Sequence, residues 1–165
     1  AGVPIAAGVL YPVLGLLLNL WAVARLALEG LSTVPLGLAE AIVTLEVRGF
    51  LEARARACEA AGIARDRIVV DPGFGFGKTL AHNLDLLARL DEIAASGYPV
   101  LAGLSRKSML GAITGRPEGE RMAASVAAAL SAVQRGAAIV RVHDVRETVD
   151  ALAVWRATVG QERNR

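Results

Sequence analysis

Residues 67–79 read RIVVDPGFGFGKT, a short β-branched run followed at once by a loop with glycine at alternate positions. A continuous apolar run of this kind is typical of a parallel strand that is covered on both faces. Before it, from about Ala39 to Gly62, apolar residues recur at helical spacing and predict an amphipathic helix. A helix, a strand and a glycine loop in this order indicate an α/β chain.

The same alternation continues towards the end of the chain. The predicted elements are a helix over His82–Ser96 stopped by Gly97, a strand over Tyr98–Gly103, helices over Lys107–Thr114 and Gly119–Arg135, a strand over Ala137–Val142 and a helix over Arg146–Thr158. The first of these helices has an apolar stripe made of Leu84, Leu87, Leu90 and Ile93. Such alternation predicts parallel strands joined by right-handed crossovers, with ligands bound at the carboxyl ends of the strands.

The composition excludes several classes of protein. The chain has 165 residues, 54% hydrophobic and 21% charged, so it is neither a disordered nor a collagen-like sequence. The formal net charge is +2 and the charges are interspersed, which argues against nucleic acid as a partner. The lone Cys58 cannot close an internal disulfide, and there is no Cys/His cluster for zinc, so a cytoplasmic location fits best.

Residues 1–40 differ from the rest of the sequence. The first 24 residues carry no charge, and residues 8–28 are apolar over a length that resembles a membrane span. Three interpretations stay open: a buried or partner-covered helix from about Val13 to Leu28, a membrane anchor, and a cleavable signal. Proline and glycine interruptions and the lack of a preceding basic cluster favour the first. We therefore predict an apolar leader over 1–40 and a domain over 41–160.

The loop after the first predicted strand offers a candidate binding site. Asp71 at the strand end can accept two hydrogen bonds from the edge of an aminopyrimidinone-like ring, or it can cap the following turn. Phe74 and Phe76 can stack on a flat ligand or pack inward. The ending Gly77-Lys78-Thr79 resembles a phosphate loop, but that motif requires glycine at position 72, which is proline, and it is therefore excluded.

The other two strand ends carry basic residues. Residues 105–108 read SRKS at a predicted helix start, which suits an anion or a polar amine, although a solvated helix start is the alternative. On the last strand, Arg141 and His143 lie two residues apart and therefore project to the same face. Because an unpaired buried arginine is costly, we expect this pair to line a solvent-open pocket for a phosphate or diphosphate.

The three strand ends, in this order and with these intervals, resemble dihydropteroate synthase over about residues 43–157. The strings that carry the resemblance are EVRGFLEARARACEAAGI, DPGFGFGKTLAHNLDLL, PVLAGLSRKSMLGAITGRP and SVAAALSAVQRGAAIVRVHDV. The resemblance implies the last three strands of a (β/α)8 TIM barrel, since a complete barrel takes about 250 residues. It also implies condensation of 6-hydroxymethyl-7,8-dihydropterin diphosphate with p-aminobenzoate to 7,8-dihydropteroate.

The resemblance also implies roles for particular residues. The implied contacts are Asp71 with the pterin, Phe76 with p-aminobenzoate, Ser105 with the p-aminobenzoate carboxylate, Lys107 with both substrates, and Arg141 and His143 with the diphosphate. Lys107, Arg141 and His143 are the implied catalytic residues. Mg²⁺ as cofactor and a homodimer as assembly follow from the same resemblance.

The family's amino-terminal half contributes further site residues that this sequence does not show. These are a magnesium-binding asparagine and a loop with Ser-Thr-Arg-Pro-Gly, whereas here Ser32-Thr33 is followed by Val34-Pro35. A catalytically incompetent half-barrel with residual pterin or phosphate binding, or with an interaction role only, is therefore the alternative function. Whether the chain is a fragment, a frame-altered product or an engineered truncation stays open at this point.

Overall fold

A computed structural model describes residues 36–162 of the chain. Its helices are α1 (Leu36–Ala60), α2 (Leu80–Ala88), α3 (Leu90–Ala94), α4 (Ser108–Thr114), α5 (Met122–Gln134) and α6 (Val145–Glu162). Its strands are β1 (Val100–Ala102) and β2 (Ala137–Val140), and 3-10 turns lie at Arg65–Arg67 and Glu118–Glu120. The predicted leader lies almost wholly outside the described residues. Within residues 36–162, no helix combines the length and the apolar character that crossing a membrane requires.

The sheet is parallel, as the alternation of elements predicts. Strand β1 pairs with β2, with Leu101 opposite Ile139 and Ala102 opposite Val140. The strand predicted over residues 67–70 is reduced to a single parallel bridge between Val70 and Val100. The prediction is wrong in extent because the chain first closes a 3-10 turn, and the N–H of Ile68 bonds back to that turn instead of to a neighbouring strand.

The core lies on one side of this sheet. Val70, Val100 and Ala102 are buried against the helices, together with Leu86, Leu90, Ile93 and Ala132. Side chains alternate along a strand, and the other face is open: Val69 is 46% exposed and Ile139 is 42% exposed. The prediction that the first strand is covered on both faces is therefore wrong for the described part of the chain.

The helix predicted over residues 82–96 is two helices, α2 and α3, separated at Arg89. The backbone of Arg89 leaves the helical region at φ −109° and ψ 25°. The buried residues nevertheless keep helical spacing across the break, at Asn83, Leu86, Leu90 and Ile93. The buried face is therefore displaced from the predicted stripe in α2, where Leu84 is 42% exposed and Leu86 is fully buried. Gly97 follows with φ +78°, and the predicted helix stop is confirmed.

Candidate functional site

The glycine loop, residues 73–77, has a backbone that only glycine adopts without strain. Gly73, Gly75 and Gly77 have φ values of 70°, 76° and 61°, which lie in the left-handed region. The residues between them point in different directions, because Phe74 is 1% exposed and Phe76 is 46% exposed. Inward packing is thus confirmed for Phe74 alone, and Phe76 presents its ring at the surface.

Asn83 of α2, whose role the sequence did not predict, fixes the glycine loop through hydrogen bonds to the backbone. Its side chain is buried, its Oδ1 accepts a hydrogen bond from the N–H of Gly75 at 2.7 Å, and its Nδ2 donates to the carbonyl of Thr79 at 2.7 Å. Thr79 caps the same helix through a reciprocal pair of bonds with His82. The sequence does contain one indication of this role: Asn83 is a polar residue near a predicted helix start, where side chains commonly bond to the backbone.

Asp71 lies at the end of the bridged segment and uses its two oxygens differently. Oδ1 accepts a hydrogen bond from the N–H of Gly73 at 2.8 Å, which confirms the predicted turn cap. Oδ2 lies 3.6 Å from the guanidinium of Arg141. Both side chains are well exposed, so this ion pair adds little to stability. Its two charged groups therefore stay accessible to a ligand.

Lys107 joins the second strand end to the glycine loop. Its Nζ donates to the carbonyl of Phe74 and lies 4.0 Å from the centroid of the Phe76 ring, in cation–π geometry. Burial lowers the pKa of Lys107; Asp71 opposes this shift and Arg141 adds to it. A Cβ atom at Gly75 would lie 2.8 Å from the lysine side chain, which is a second reason for glycine there.

Ser105 and His143 form a contact between the second and third strand ends. Ser105 is 7% exposed, and its Oγ accepts a hydrogen bond from the N–H of His143 at 3.1 Å and lies 2.9 Å from His143 Nδ1. The serine hydroxyl therefore faces the imidazole rather than open solvent. Arg141 and His143 are both exposed and lie in the loop after β2. Because β2 ends at Val140 and not at Val142 as predicted, the strand alternation from which a shared face was predicted does not apply to them.

Arg106 links the loop after β1 to the loop after β2 through an ion pair with Asp144. It has φ +59°, a left-handed value that is uncommon for a residue with a side chain. Its guanidinium donates two hydrogen bonds to Asp144, at 2.6 Å from NH2 and 3.3 Å from Nε. The sequence predicted that Arg106 and Lys107 would form a basic helix start. In the structure, Arg106 pairs with the carboxylate of Asp144, and Lys107 faces the glycine loop.

The pair of Arg106 and Asp144 predicts a pH dependence of stability. The hydrogen bond from Arg106 lowers the pKa of Asp144 below its ordinary value of 3.8. A lowered pKa in the folded state stabilises the protein above the unfolded-state pKa, and this contribution is lost as the pH falls through the folded-state pKa. We expect Asp144→Asn to lower the free energy of unfolding at pH 7, with a difference from wild type that shrinks below about pH 4.

Urea unfolding of both proteins between pH 7 and pH 2.5 measures that difference. Asp150→Asn, a substitution of an exposed residue of α6, controls for the removal of one negative charge. A difference between wild type and Asp144→Asn that stays constant down to pH 2.5 would contradict the assignment.

Within residues 36–162, no group of three or more His, Cys, Asp or Glu side chains is placed to hold a metal ion. Asp71 is the carboxylate of this edge that faces the loop, and it is already in contact with a backbone N–H and a guanidinium. The described residues therefore do not by themselves fit the magnesium site that the resemblance implies.

Comparison with known proteins shows the family to which the chain belongs. Residues 32–143 match the family described as "Pterin binding enzyme", and the chain belongs to that family. Among named relatives, it is 59% identical over 114 residues to the dihydropteroate synthase of Neisseria meningitidis serogroup C, covering 68% of this chain and 40% of that protein.

Two solved structures extend the comparison. The dihydropteroate synthase of Burkholderia cenocepacia, complexed with 7,8-dihydropteroate, is 60% identical with a TM-score of 0.72, over 74% of this chain and 46% of that one. The enzyme of Xanthomonas albilineans with 4-aminobenzoic acid is 56% identical with a TM-score of 0.69, over 70% and 43%. The chain thus spans about two fifths of the length of the curated relatives that it matches.

Proposed function

We propose that the protein containing this chain condenses 6-hydroxymethyl-7,8-dihydropterin diphosphate with p-aminobenzoate to give 7,8-dihydropteroate and diphosphate. One observation carries the proposal: Asp71, Lys107 and Arg141, from three successive strand ends, lie at one edge and interact with one another. The relatives that bind 7,8-dihydropteroate and 4-aminobenzoic acid support it. We also propose that the parallel sheet is part of a (β/α)8 barrel.

Asp71 and Phe76 are the proposed binding groups for the two ring systems. The carboxylate of Asp71 is proposed to accept hydrogen bonds from the ring N–H and the amino group of the pterin. Oδ2 makes no bond to the turn, and Oδ1 already accepts one from the N–H of Gly73. The exposed ring of Phe76 supplies a flat apolar surface for p-aminobenzoate, with the ammonium of Lys107 above it. Lys107 thus lies between the two substrates.

Arg141 and His143 are the proposed anion-binding residues. Negative charge develops on diphosphate as its bond to the pterin methylene breaks, and a preorganised cation at that place stabilises the transition state. The guanidinium of Arg141 and the imidazole of His143 supply donors from two exposed residues of the loop after β2. Ser105 stays a proposed contact of the p-aminobenzoate carboxylate. Because its hydroxyl is directed at the His143 ring, we propose that it also orients that ring.

Mg²⁺ is proposed as the cofactor of the complete site, with most of its ligands contributed from outside residues 36–162. When bound, the ion would neutralise part of the diphosphate charge. We further propose a cytoplasmic location, which the free thiol of Cys58 supports.

We also propose a homo-oligomer, with a dimer as the expected state. Val145 and Val149, one turn apart on α6, are 60% and 57% exposed, and this apolar face favours association. Sedimentation velocity of the purified chain should give a molar mass of at least twice 17.2 kDa. A monomer over the accessible concentration range would contradict the proposal.

The proposed reaction is tested by two measurements on the purified 165-residue chain. One is formation of 7,8-dihydropteroate from the two substrates with Mg²⁺, and the other is calorimetric titration with 6-hydroxymethylpterin. Turnover supports the synthase. Pterin binding without turnover supports the alternative of an incompetent half-barrel with residual binding, which the open face of Val69 and Ile139 favours.

A chimera distinguishes two explanations for an inactive chain: site residues that do not function, and a site that lacks residues from the rest of the enzyme. The matching segment of the Burkholderia cenocepacia enzyme is replaced with residues 36–162; over the aligned part, 74% of this chain, the two sequences are 60% identical. If the chimera is active, the strand ends described above are competent. An inactive but folded chimera would contradict the proposed roles of Asp71, Lys107 and Arg141.

A further inference from the structure

Lys78 has no part in the proposed reaction, yet its side chain reaches back over the glycine loop. Its Nζ donates hydrogen bonds to the carbonyl of Gly73 at 3.0 Å and to the carbonyl of Phe76 at 3.3 Å. The side chain is half-buried. These two carbonyls stand at the beginning and near the end of the loop, so a single ammonium bridges its full span.

The loop needs such a donor because of its backbone. With three left-handed glycines at alternate positions, the loop cannot pair its peptide groups as a helix or a strand does. Gly73 O accepts from the N–H of Phe76 at 3.2 Å and also from Lys78, in a part-buried bond. The carbonyl of Phe76 accepts from Lys78 at the exposed surface. The Lys78 ammonium therefore links the backbone of Gly73 to the backbone of Phe76.

The choice of lysine at these positions is unusual for this chain. The sequence contains two lysines and sixteen arginines, and both lysines bond to carbonyls of the glycine loop. Lys78 bonds to Gly73 and Phe76, while Lys107 bonds to Phe74 and covers the Phe76 ring. A compact ammonium directs three donors in different directions, so a single lysine can reach two carbonyls of the same loop.

We propose that Lys78 is a positioning residue, which holds residues 73–77 in the conformation that places the Phe76 ring beneath the Lys107 ammonium. The effect of Lys78 on the loop conformation is inferred from its hydrogen bonds. The consequence for p-aminobenzoate binding rests on the proposed function. Asp71 and Lys107 are the charged groups that act on Lys78. Burial lowers the pKa of Lys78 to about 8, with Asp71 opposing and Lys107 adding to that shift. The protein thus keeps a cation at this place against a desolvation cost.

The test uses lysine labelled with ¹³C at Cε in the full chain, which gives two side-chain signals. Lys78→Met removes one signal and so assigns the other to Lys107. In wild type, the ε protons of Lys107 should be shifted upfield because they lie over the face of Phe76. Phe76→Leu removes the ring and defines complete loss of that shift. We expect Lys78→Met to lose at least half of the shift, and Lys78→Arg to retain more of it than Lys78→Met.

Amide hydrogen exchange in the same proteins measures the loop directly. We expect exchange within residues 73–77 to be about tenfold faster in Lys78→Met, the effect of about one hydrogen bond, while residues 122–140 stay unchanged. An unchanged Lys107 shift together with unchanged exchange of residues 73–77 would overturn the proposal. Should Lys78→Met unfold throughout, Lys78→Gln, which keeps a side-chain donor, decides by the same two measurements.

Steady-state kinetics connect the loop to the reaction. In Lys78→Met, KM for p-aminobenzoate should rise about tenfold with a smaller fall in kcat, since ground-state positioning of the aromatic ring is lost. Lys78→Arg should recover part of that KM. A fall in kcat alone would overturn the assignment of Lys78 to p-aminobenzoate positioning. A wild-type chain without turnover would count against the proposed function, and the spectroscopic and exchange results would still decide the role of Lys78.

Discussion

Phe74→Ala is expected to destabilise the folded chain by about 3–5 kcal/mol, the usual cost of truncating a fully buried phenylalanine. Phe74 is 1% exposed and belongs to the main apolar cluster together with Val70, Leu104 and Met109. Its removal leaves a cavity beneath the glycine loop, whose backbone cannot collapse easily because Asn83 and two lysines hold it. Equilibrium unfolding in urea measures the effect as a lower midpoint.

Phe76→Ala is the matched control, two residues away in the same loop. Because Phe76 is 46% exposed, its replacement should change the free energy of unfolding by about 1 kcal/mol or less. Its effect should appear in p-aminobenzoate binding instead. Equal destabilisation by the two substitutions would contradict the described division of the loop into a buried and an exposed phenylalanine.

Asp71→Asn is expected to weaken pterin binding by at least about 100-fold. The substitution preserves the shape of the side chain and an oxygen that accepts from the N–H of Gly73, so the turn is retained. It removes the negative charge, and each hydrogen bond to a charged group contributes about 1.5–3 kcal/mol. The two bonds proposed between Asp71 and the pterin edge give the stated factor.

Calorimetric titration of wild type and Asp71→Asn with 6-hydroxymethylpterin measures this factor. The urea midpoint of the variant should stay close to that of wild type, since the ion pair between Asp71 and Arg141 is exposed. Unchanged pterin affinity in a folded variant would show that Asp71 serves the turn alone, which was the alternative interpretation of its place before Pro72.

Much of the architecture could be predicted because its signals are local. Helical periodicity and a terminal glycine predicted α1 and the stop at Gly97, and apolar runs located β1 and β2. The predictions were wrong where strand pairing depended on the path of the chain and not on the composition of the segment. The run at residues 67–70 has strand composition, but a preceding 3-10 turn limits its pairing to Val70.

The sequence predicted which strand-end residues would lie close together, but not the contacts that they make. Asp71, Lys107 and Arg141 were expected at neighbouring strand ends, and the structure brings them together. The partner of Ser105 was not foreseeable, because it lies 38 residues away, at His143. The same separation divides Arg106 from Asp144.

The sequence by itself determined the order of helices and parallel strands, the three glycines of the loop and the exclusion of a phosphate loop, since each depends on the spacing of a few neighbouring residues. Tertiary structure alone decided which phenylalanine is buried, that Asn83 supports the loop and that Lys78 bridges it. Those outcomes depend on which side chains come into contact in the folded protein. A hydrogen bond or a buried ring is a property of distances in space, which residue spacing along the chain does not specify.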